Sequence, residues 1–588
     1  MTDEAIREGF DSIRPGKDYD ALYESARCRS MADWLVGMNA SRAFTLRYNV
    51  LLSVGRVQTP TLTLLVKRRR EIDNFKPEKY ATLTANFGDY SGTWFKAGQE
   101  NDTRIQPTER AEELKKAVQG KTAVVKTAET ERKREAAPQL YDLTSLQRDA
   151  NSLLGFTADK TLKLAQSLYE KHKALTYPRT DSRYLPPDMI PRVVETLNRL
   201  PAAYQPFVAQ TMPEGKLRVS GRTVDASKVT DHHALIPTNR SVNPNSFDAD
   251  EKKLYDLVAR RTLAAFYPAC EYDATRIVTE VEGNTFRTTG RVILNPGWHA
   301  VPVLEKPPVQ KKKSGDEEEA AELPALKPGM TRRVESAKIA QRETKPPAEH
   351  TDASLLSGME HAGREVEDEE LARQMRGSGI GTPATRAAII ERLIHVGYAR
   401  RKGKSILATE KGVQLIDIMP EELSSPATTG RWELALDKIA HNQQDSGEFM
   451  AGIRRLSAFL TEYAKTNDRP AAFPEEERRK GKSGGKSAGK PNKGLGIPCP
   501  LCGRGEVKES DKAFGCTRWR EDCGFTIWKD ALTRGGGPEL NEKLMRLILE
   551  KKRVLGSTGV VELTQTHIAF YPTGSANATA IRSISKEK

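Results

Sequence analysis

Apolar residues recur at spacings of three and four through residues 19–47 and again through 56–73, which predicts two long helices. The pattern then changes. Residues 79–97 (KYATLTANFGDYSGTWFKA) and 120–130 are rich in β-branched and aromatic side chains and read as strands, and residues 139–175 return to helical spacing. Residues 272–303 read as strands again around a tight turn at Glu282-Gly283-Asn284. A strand-rich element is thus split in sequence with helices inserted between its halves, which predicts an arch rather than domains strung in a row. Further on, Thr382 is placed to cap a helix that has Pro383 at its first position. Ala388, Ile389, Leu393 and Val396 are expected along one face of it. YARR, KGKS and ILAT then read as strand, turn and strand, and Thr409 caps the next helix, EKGVQLIDIM. Helix, wing and helix make a winged helix, a module that often sits on DNA; a packing module with a basic wing fits the pattern equally well.

Two stretches interrupt this pattern. Residues 304–325 (EKPPVQKKKSGDEEEAAELPAL) set a basic block beside an acidic one and read as a solvated excursion within a domain. Residues 478–493 (RRKGKSGGKSAGKPNK) carry basic residues and no acid among Gly, Ser and Pro, and read as a flexible cationic linker. The linker divides a large body from a C-terminal region of residues 494–588. At 588 residues the chain has room for about three to five domains. Lys and Arg exceed Asp and Glu, 93 to 79, and the resulting +14 charge predicts a polyanionic partner. No apolar run approaches the roughly 20 residues of a bilayer span, and the acidic N-terminus MTDEAIREGF does not read as a secretory signal. Six cysteines, four of them within residues 499–523, are a metal site rather than a disulfide framework. Together these predict a cytoplasmic protein of a reducing compartment, not lipid-embedded, whose partner is nucleic acid or another anionic surface.

The four clustered cysteines are Cys499, Cys502, Cys516 and Cys523, with spacing C-x2-C-x13-C-x6-C and glycines at 503, 505 and 515. Paired thiolates on glycine knuckles fit a structural Zn²⁺ ribbon better than an iron–sulfur cluster, although the x6 gap makes Cys523 the least regular ligand. Phe514, Trp519, Phe525 and Trp528 alternate with Lys512, Arg518, Arg520 and Lys529. Such interleaving offers stacking platforms for unpaired bases, or simply covers the ribbon.

Residues 175–186, LTYPRTDSRYLP, hold one phenol against a rigid proline with arginine next, behind an expected basic helix containing Lys171, His172 and Lys173. A free phenol has a pKa near 10, so a phenolic nucleophile needs positive charge beside it. Tyr177 with Arg179 therefore suggests phosphodiester cleavage through a phosphotyrosine. ATP-driven chemistry is not indicated, because none of the four Gly-Lys-Ser/Thr strings has the second glycine of a P-loop.

These residues resemble the type IA DNA topoisomerases, in the form of the bacterial topoisomerase III subgroup. The stretches that carry the resemblance are ARCRSMADWLVGMNASRAFT (26–45), SVGRVQTPTL (53–62), LYDLTSLQRDAN (140–151), LTYPRTDSRYLP (175–186), KVTDHHALIPT (228–238), GIGTPATRAAIIERL (379–393) and TGRWE (429–433). The resemblance implies a multidomain α+β fold with a torus-like core. Residues 1–70 and 346–470 would form a helical base with the winged helix, 71–135 and 256–345 a β-rich arch, and 136–255 the Tyr-bearing domain. Beyond them would come a basic linker (471–495), a zinc ribbon (496–535) and a small β-module (536–588). The resemblance makes Tyr177 the nucleophile that holds a 5′-phosphate, with Arg179 on the scissile phosphate and His232 assisting. It makes Ser53, Val54, Gly55, Arg56, Val57 and Gln58 a stretch contacting single-stranded DNA, with Arg56 a phosphate ligand and Arg29, Asp33 and Arg42 as further contacts. The family's Toprim domain, with its catalytic Glu, Lys and acidic Mg²⁺ cluster, is expected to have no counterpart in this sequence. Asp18-Tyr19-Asp20 and Asp248-Ala249-Asp250, the available D-x-D strings, read as solvated. The expectation is a monomer that binds single strands and cleaves poorly unless a Toprim-containing chain acts in trans; the alternative is a catalytically dead single-strand-binding fragment with a zinc tail.

Overall fold

The computed structural model describes residues 7, 9–240, 242–302, 323–365, 369, 379–471, 473 and 494–583, the last span without 511, 520, 522, 565 and 576. The predicted linker at 478–493 and most of the charged excursion at 304–325 lie outside the described residues. The chain forms two compact units, Met1–Pro474 and Glu475–Lys588.

The first unit opens with helices α1 (Asp20–Tyr48) and α2 (Gln58–Asp73). On α1 the buried positions Ser25, Cys28, Ala32, Val36, Ala40 and Phe44 follow spacings of three and four. Strands β1 (Lys79–Asn86) and β2 (Ser91–Trp94), helix α3 (Arg110–Val118) and strand β3 (Thr122–Glu135) come next. After a long insertion the chain returns as β4 (Cys270–Val281), β5 (Asn284–Asn295), β6 (Thr331–Arg333) and β7 (Ser336–Glu343). All seven strands join one antiparallel sheet in the order β6-β3-β4-β5-β2-β1-β7. The predicted turn is present: Glu282 and Gly283 both take positive φ, 48° and 75°, the backbone that matches the twist of a two-residue hairpin. Strands β3 and β4 pair from Val124 opposite Glu280 to Glu135 opposite Cys270. A lobe therefore leaves and re-enters the sheet through neighbouring strands.

That lobe holds α4 (Leu143–Asp149), a π-helical turn (Ala150–Leu154), α5 (Ala158–Glu170), α6 (Ile190–Asn198), α7 (Gln205–Thr211) and α8 (Ala249–Ala265). The long helical pattern of 139–175 is broken because Gly155 turns left-handed at φ 71° and Thr157 starts a new helix by accepting from Lys160 N–H. Tyr141, Leu146, Leu168, Leu175, Leu254 and Phe266 lie in its core. Helix α8 runs straight through the boundary expected at 255/256, and its apolar face belongs to this lobe. Asp248 is exposed as expected and also caps α8 in a reciprocal capping box with Glu251, and Asp250 pairs with Lys160 at 2.6 Å.

The chain then builds α9 (Asp352–Glu360), α10 (Pro383–His395), the wing β8 (Ala399–Lys402) and β9 (Ser405–Ala408), α11 (Glu410–Ile418), α12 (Glu421–Ser424), α13 (Pro426–Ala440) and α14 (Ser446–Thr466). These share one core with α1 and α2. Thr409 caps α11 as expected, accepting from Gly412 N–H. Gly412 has no room for a side chain, since a Cβ there would lie 2.3 Å from the Tyr398 carbonyl oxygen. Two details of α10 differ from expectation. Thr382 occupies the cap position, yet its hydroxyl meets Thr385 Oγ1 rather than a backbone N–H. Its fully buried residues are Arg386, Ala387, Ile390 and Leu393, and Ile389 and Val396 pack partly buried on the same core, so of the expected face only Ala388 is exposed.

In the second unit, β10 (Gly494–Pro498), β11 (Glu506–Glu509), β12 (Ala513–Cys516) and β13 (Thr526–Trp528) form one sheet. Helix α15 (Glu542–Lys551) leads to a second sheet of β14 (Arg553–Gly556), β15 (Gly559–Leu563), β16 (His567–Pro572) and β17 (Ala580–Ser583). The region expected to be purely β thus begins with a helix, capped by Asn541 and burying Met545, Ile548 and Leu549. The expected ribbon and β-module are one body: Val507, Phe514, Ile548 and Phe570 belong to a single core, and Arg546 donates to the Leu495 carbonyl at 2.7 Å.

Candidate active site and metal centre

Tyr177 sits on a segment fixed from both sides. Helix α5 ends at Glu170, Lys173 turns with φ 53°, and Ala174 N–H donates back to the Leu168 carbonyl at 2.8 Å. The chain then runs beside residues 232–238: Thr176 N–H donates to the Ile236 carbonyl, Ile236 N–H to Thr176 Oγ1, and Thr180 Oγ1 to the His232 carbonyl, each at 3.0 Å. This register brings Tyr177 and His232 together, with ring centroids 4.4 Å apart and planes at 47°. Arg179 is exposed and has no hydrogen bond or ion pair among the described residues.

The two adjacent histidines separate cleanly. His233 Nδ1 meets the Ala234 carbonyl at 2.8 Å, and burial holds its pKa below the ordinary histidine value, so it is a neutral structural group. His232 is exposed and faces the phenol. Behind the segment, Arg183 Nε donates to Asp142 Oδ2 at 2.7 Å and lies 3.5 Å from Glu360, which also pairs with Arg148 at 3.3 Å. These contacts tie the Tyr177 loop and α4 to the end of α9. No local pattern announces them, since the partners are up to 212 residues apart.

Residues 53–58 form a tight link between α1 and α2. Tyr398 Oη accepts from Ser53 N–H at 2.6 Å, Val54 N–H donates to Ser41 Oγ, Gly55 N–H donates to Thr59 Oγ1, and Gln58 Nε2 donates to the Ser53 carbonyl. Val57 packs on the surrounding core and limits the room beside Gly381. Arg56 points inward and is 7% exposed. Its guanidinium donates to both Asp33 oxygens, at 2.9 and 3.2 Å, and to Glu433 Oε1 at 2.6 Å, and lies 5.2 Å from the Trp432 ring centroid. Arg29 donates to the same Glu433 oxygen at 2.7 Å. Arg56, expected as a phosphate ligand, is thus buried against Glu433 and the more exposed Asp33 and Arg29, in an ion network that joins α1 and α13 to the link before α2. Arg42 alone of the expected cations on α1 is exposed without a partner among the described residues.

In the second unit the thiols of Cys499, Cys502, Cys516 and Cys523 lie within 4.8 Å of one another. Cys499 Sγ is 3.6 Å from Cys523 Sγ, and Cys502 Sγ is 3.7 Å from Cys516 Sγ. Four sulfurs bound at 2.3 Å around a tetrahedral zinc stand about 3.8 Å apart, so the set fits that ion and is too open for disulfides. Cys523 completes it despite the long gap. The backbone N–H groups of Gly505 and Arg504 pull the Cys502 thiol down to about 6, favouring the thiolate that a metal needs. One other set among the described residues, Glu135, Cys270 and His299, has metal-like spacing. Arg291 already fills it, donating to Glu135 Oε2 at 2.8 Å and to Cys270 Sγ at 3.6 Å. Of the aromatics around the ribbon, Phe514 and Phe525 are fully buried, whereas Trp519 and Trp528 are about half exposed. Lys529 lies over Phe514 and pairs with Glu509, Arg518 pairs with Glu521, and Arg520 lies outside the described residues.

A helical core carrying a winged helix, a seven-stranded sheet and an inserted Tyr-bearing lobe, with a four-cysteine ribbon beyond, together define a type IA topoisomerase fold. The sequence model of the DNA topoisomerase family matches residues 17–451, and the chain belongs to that family. Within it the similarity is to bacterial topoisomerase III. DNA topoisomerase 3 of Bacillus licheniformis is 39% identical over 516 residues, covering 87% of this chain and 68% of the relative. DNA topoisomerase 3 of Bacillus subtilis is 41% identical over 458 residues, covering 77% and 62%. The chain thus spans about two thirds of the length of these relatives. Full-length topoisomerase I from Thermotoga maritima superposes with a TM-score of 0.61 at 24% identity, over 90% of this chain and 79% of that one, and supports the fold. No helix among the described residues is long and apolar enough to cross a membrane.

Proposed function

We propose that this chain is the strand-cleaving part of a type IA DNA topoisomerase, in which Tyr177 attacks a phosphodiester of single-stranded DNA and carries its 5′-phosphate. The observation that supports this best is the local arrangement of Tyr177 beside His232 with Arg179 exposed and unpaired two residues on. In the attack the phenolic oxygen bonds to phosphorus, the phenolic proton is released, and the 3′-oxygen leaves. Arg179 and His232 are suited to bind the phosphate and offset the charge that grows on it. The ester conserves the bond energy, so rejoining needs no ATP. Arg42 and the exposed Trp519 and Trp528 are candidates for binding the flanking strand electrostatically and by stacking. Zinc, held by the four cysteines, would supply folding energy to the second unit and take no part in the chemistry.

The leaving 3′-oxygen needs a proton, and the family uses Mg²⁺ on an acidic cluster nearby. Among the described residues no set of three or more carboxylates stands at metal-ligand spacing. The reading is therefore that these residues bind and align the strand and carry the nucleophile, while the acid and the Mg²⁺ site come from a Toprim-type module, in cis or in trans. A single strand with a 3′-sulfur in place of the bridging 3′-oxygen separates nucleophile from acid, because a thiolate leaves unaided. The chain is expected to form a covalent adduct with that strand, the Tyr177→Phe chain none, and neither to relax plasmid DNA efficiently with Mg²⁺. Vigorous relaxation by the chain alone would refute the division of labour. Binding without any adduct would instead favour the single-strand-binding alternative.

A further inference from the structure

Nothing polar fixes the Tyr177 phenol: it has no hydrogen bond or ion pair among the described residues. Two rings lie against it. One is His232; the other is Tyr169, whose centroid is 5.5 Å from that of Tyr177 with the planes at 78°, an edge-to-face contact. Tyr169 stands in the last turn of α5 beside the fully buried Leu168. That turn is closed by Lys171 N–H on the Ser167 carbonyl at 2.9 Å and by Ala174 N–H on the Leu168 carbonyl at 2.8 Å. Lys173 Nζ lies 5.7 Å from the Tyr169 ring centroid, so that ring is itself held by a cation. The end of α5 thus presents an edge-to-face ring to Tyr177, while His232 presents a closer, tilted one.

We infer that Tyr169 is a positioning residue that holds the Tyr177 ring in its attacking orientation. The inference rests on the reading of Tyr177 as nucleophile. Freed of Tyr169, the phenol samples more than one rotamer, and misplacing a reacting atom by about 1 Å costs on the order of 100-fold in rate. The test uses the full chain and the 3′-sulfur single strand, in which the Tyr177 oxygen–phosphorus bond forms, the phosphorus–sulfur bond breaks, the thiolate leaves with its electron pair and the phenolic proton passes to solvent. Tyr169→Leu is expected to slow adduct formation by about 10–100-fold with single-strand affinity unchanged, and Tyr169→Phe, which keeps the ring, to restore the rate. Tyr169→Met gives the same comparison where the leucine chain melts early. A purely structural role would instead lower melting temperature and affinity together. An adduct rate in Tyr169→Leu equal to that of the parent, or in Tyr169→Phe as slow as in Tyr169→Leu, overturns the inference. A second readout does not depend on chemistry. In chains with ring-labelled tyrosine, the Tyr177 resonance, assigned by its loss in Tyr177→Phe, should lose its ring-current shift when Tyr169 is leucine; an unmoved resonance also overturns the inference. If the parent chain forms no adduct, the nucleophile reading fails while the resonance still decides the positioning.

Discussion

Arg56 and Arg179 both stand in motifs that suggest phosphate contact, yet the fold treats them in opposite ways. Arg179 is presented to solvent, whereas Arg56 is packed between Asp33 and Glu433 over Trp432. Sequence could single out each as important, but not the difference, because Asp33 and Glu433 lie 23 and 377 residues from Arg56. Burial works against the Glu433 charge, but the hydrogen bond from Arg29 and the positive charge of Arg56 outweigh it and hold the carboxyl below its ordinary value. A carboxylate depressed in this way stabilises the fold above its unfolded pKa, about 4.3, and the contribution is lost as pH falls through the lower folded value. Glu433→Gln leaves Arg56 buried with half its partners, so it should destabilise the first unit by about 3 kcal/mol near neutrality. Melting curves of the two chains should stay apart from pH 7 to about pH 5 and converge below about pH 4. A constant gap down to pH 3 would mean that the network is not what Glu433 supports.

Elements were legible where their signals were local. The register of the Glu282–Gly283 hairpin, the wing at 399–408 and the Thr409 cap follow from turn glycines, strand alternation and a hydroxyl at a helix start. The face of α10 was legible only in part: Ile389, Leu393 and Val396 meet the core as a periodic face should, but Ala387 is buried and Ala388 is not, a choice made by what α2 and α9 place against the helix and contained in no local rule. Helix α15 was overlooked although its apolar residues obey helical spacing, since the surrounding strands dominated the composition. Its position has an energetic consequence. Cys499, Cys516 and Cys523 belong to the same core as Met545 and Phe570, so zinc should support both sheets. Stripping the metal with a chelator, or Cys523→Ser, is expected to unfold the whole Glu475–Lys588 unit, read as loss of the near-ultraviolet signal of its tryptophans, while the melting transition of Met1–Pro474 is unchanged. Survival of β14–β17 in the metal-free protein would show that the second sheet stands on its own.

At the scale of the molecule, motifs scattered from residue 26 to residue 433 converge on two places, the Tyr177 segment and the Arg56 network. The split-sheet pattern correctly anticipated strands from both sides of the lobe in one sheet. Its topology also sets an order of events during folding. Glu135 and Cys270 are direct partners in the sheet, but an entire lobe lies between them along the chain. Pairing β3 with β4 from an unstructured chain would carry the full entropy of closing that loop. A folded lobe removes most of it by delivering both ends side by side, so the β3–β4 pair forms on a template that the lobe provides. Leu146→Ala, which hollows the lobe core alone, should therefore speed amide hydrogen exchange along Val124–Glu135 and leave the amides of β7, at the far edge, at their original rates.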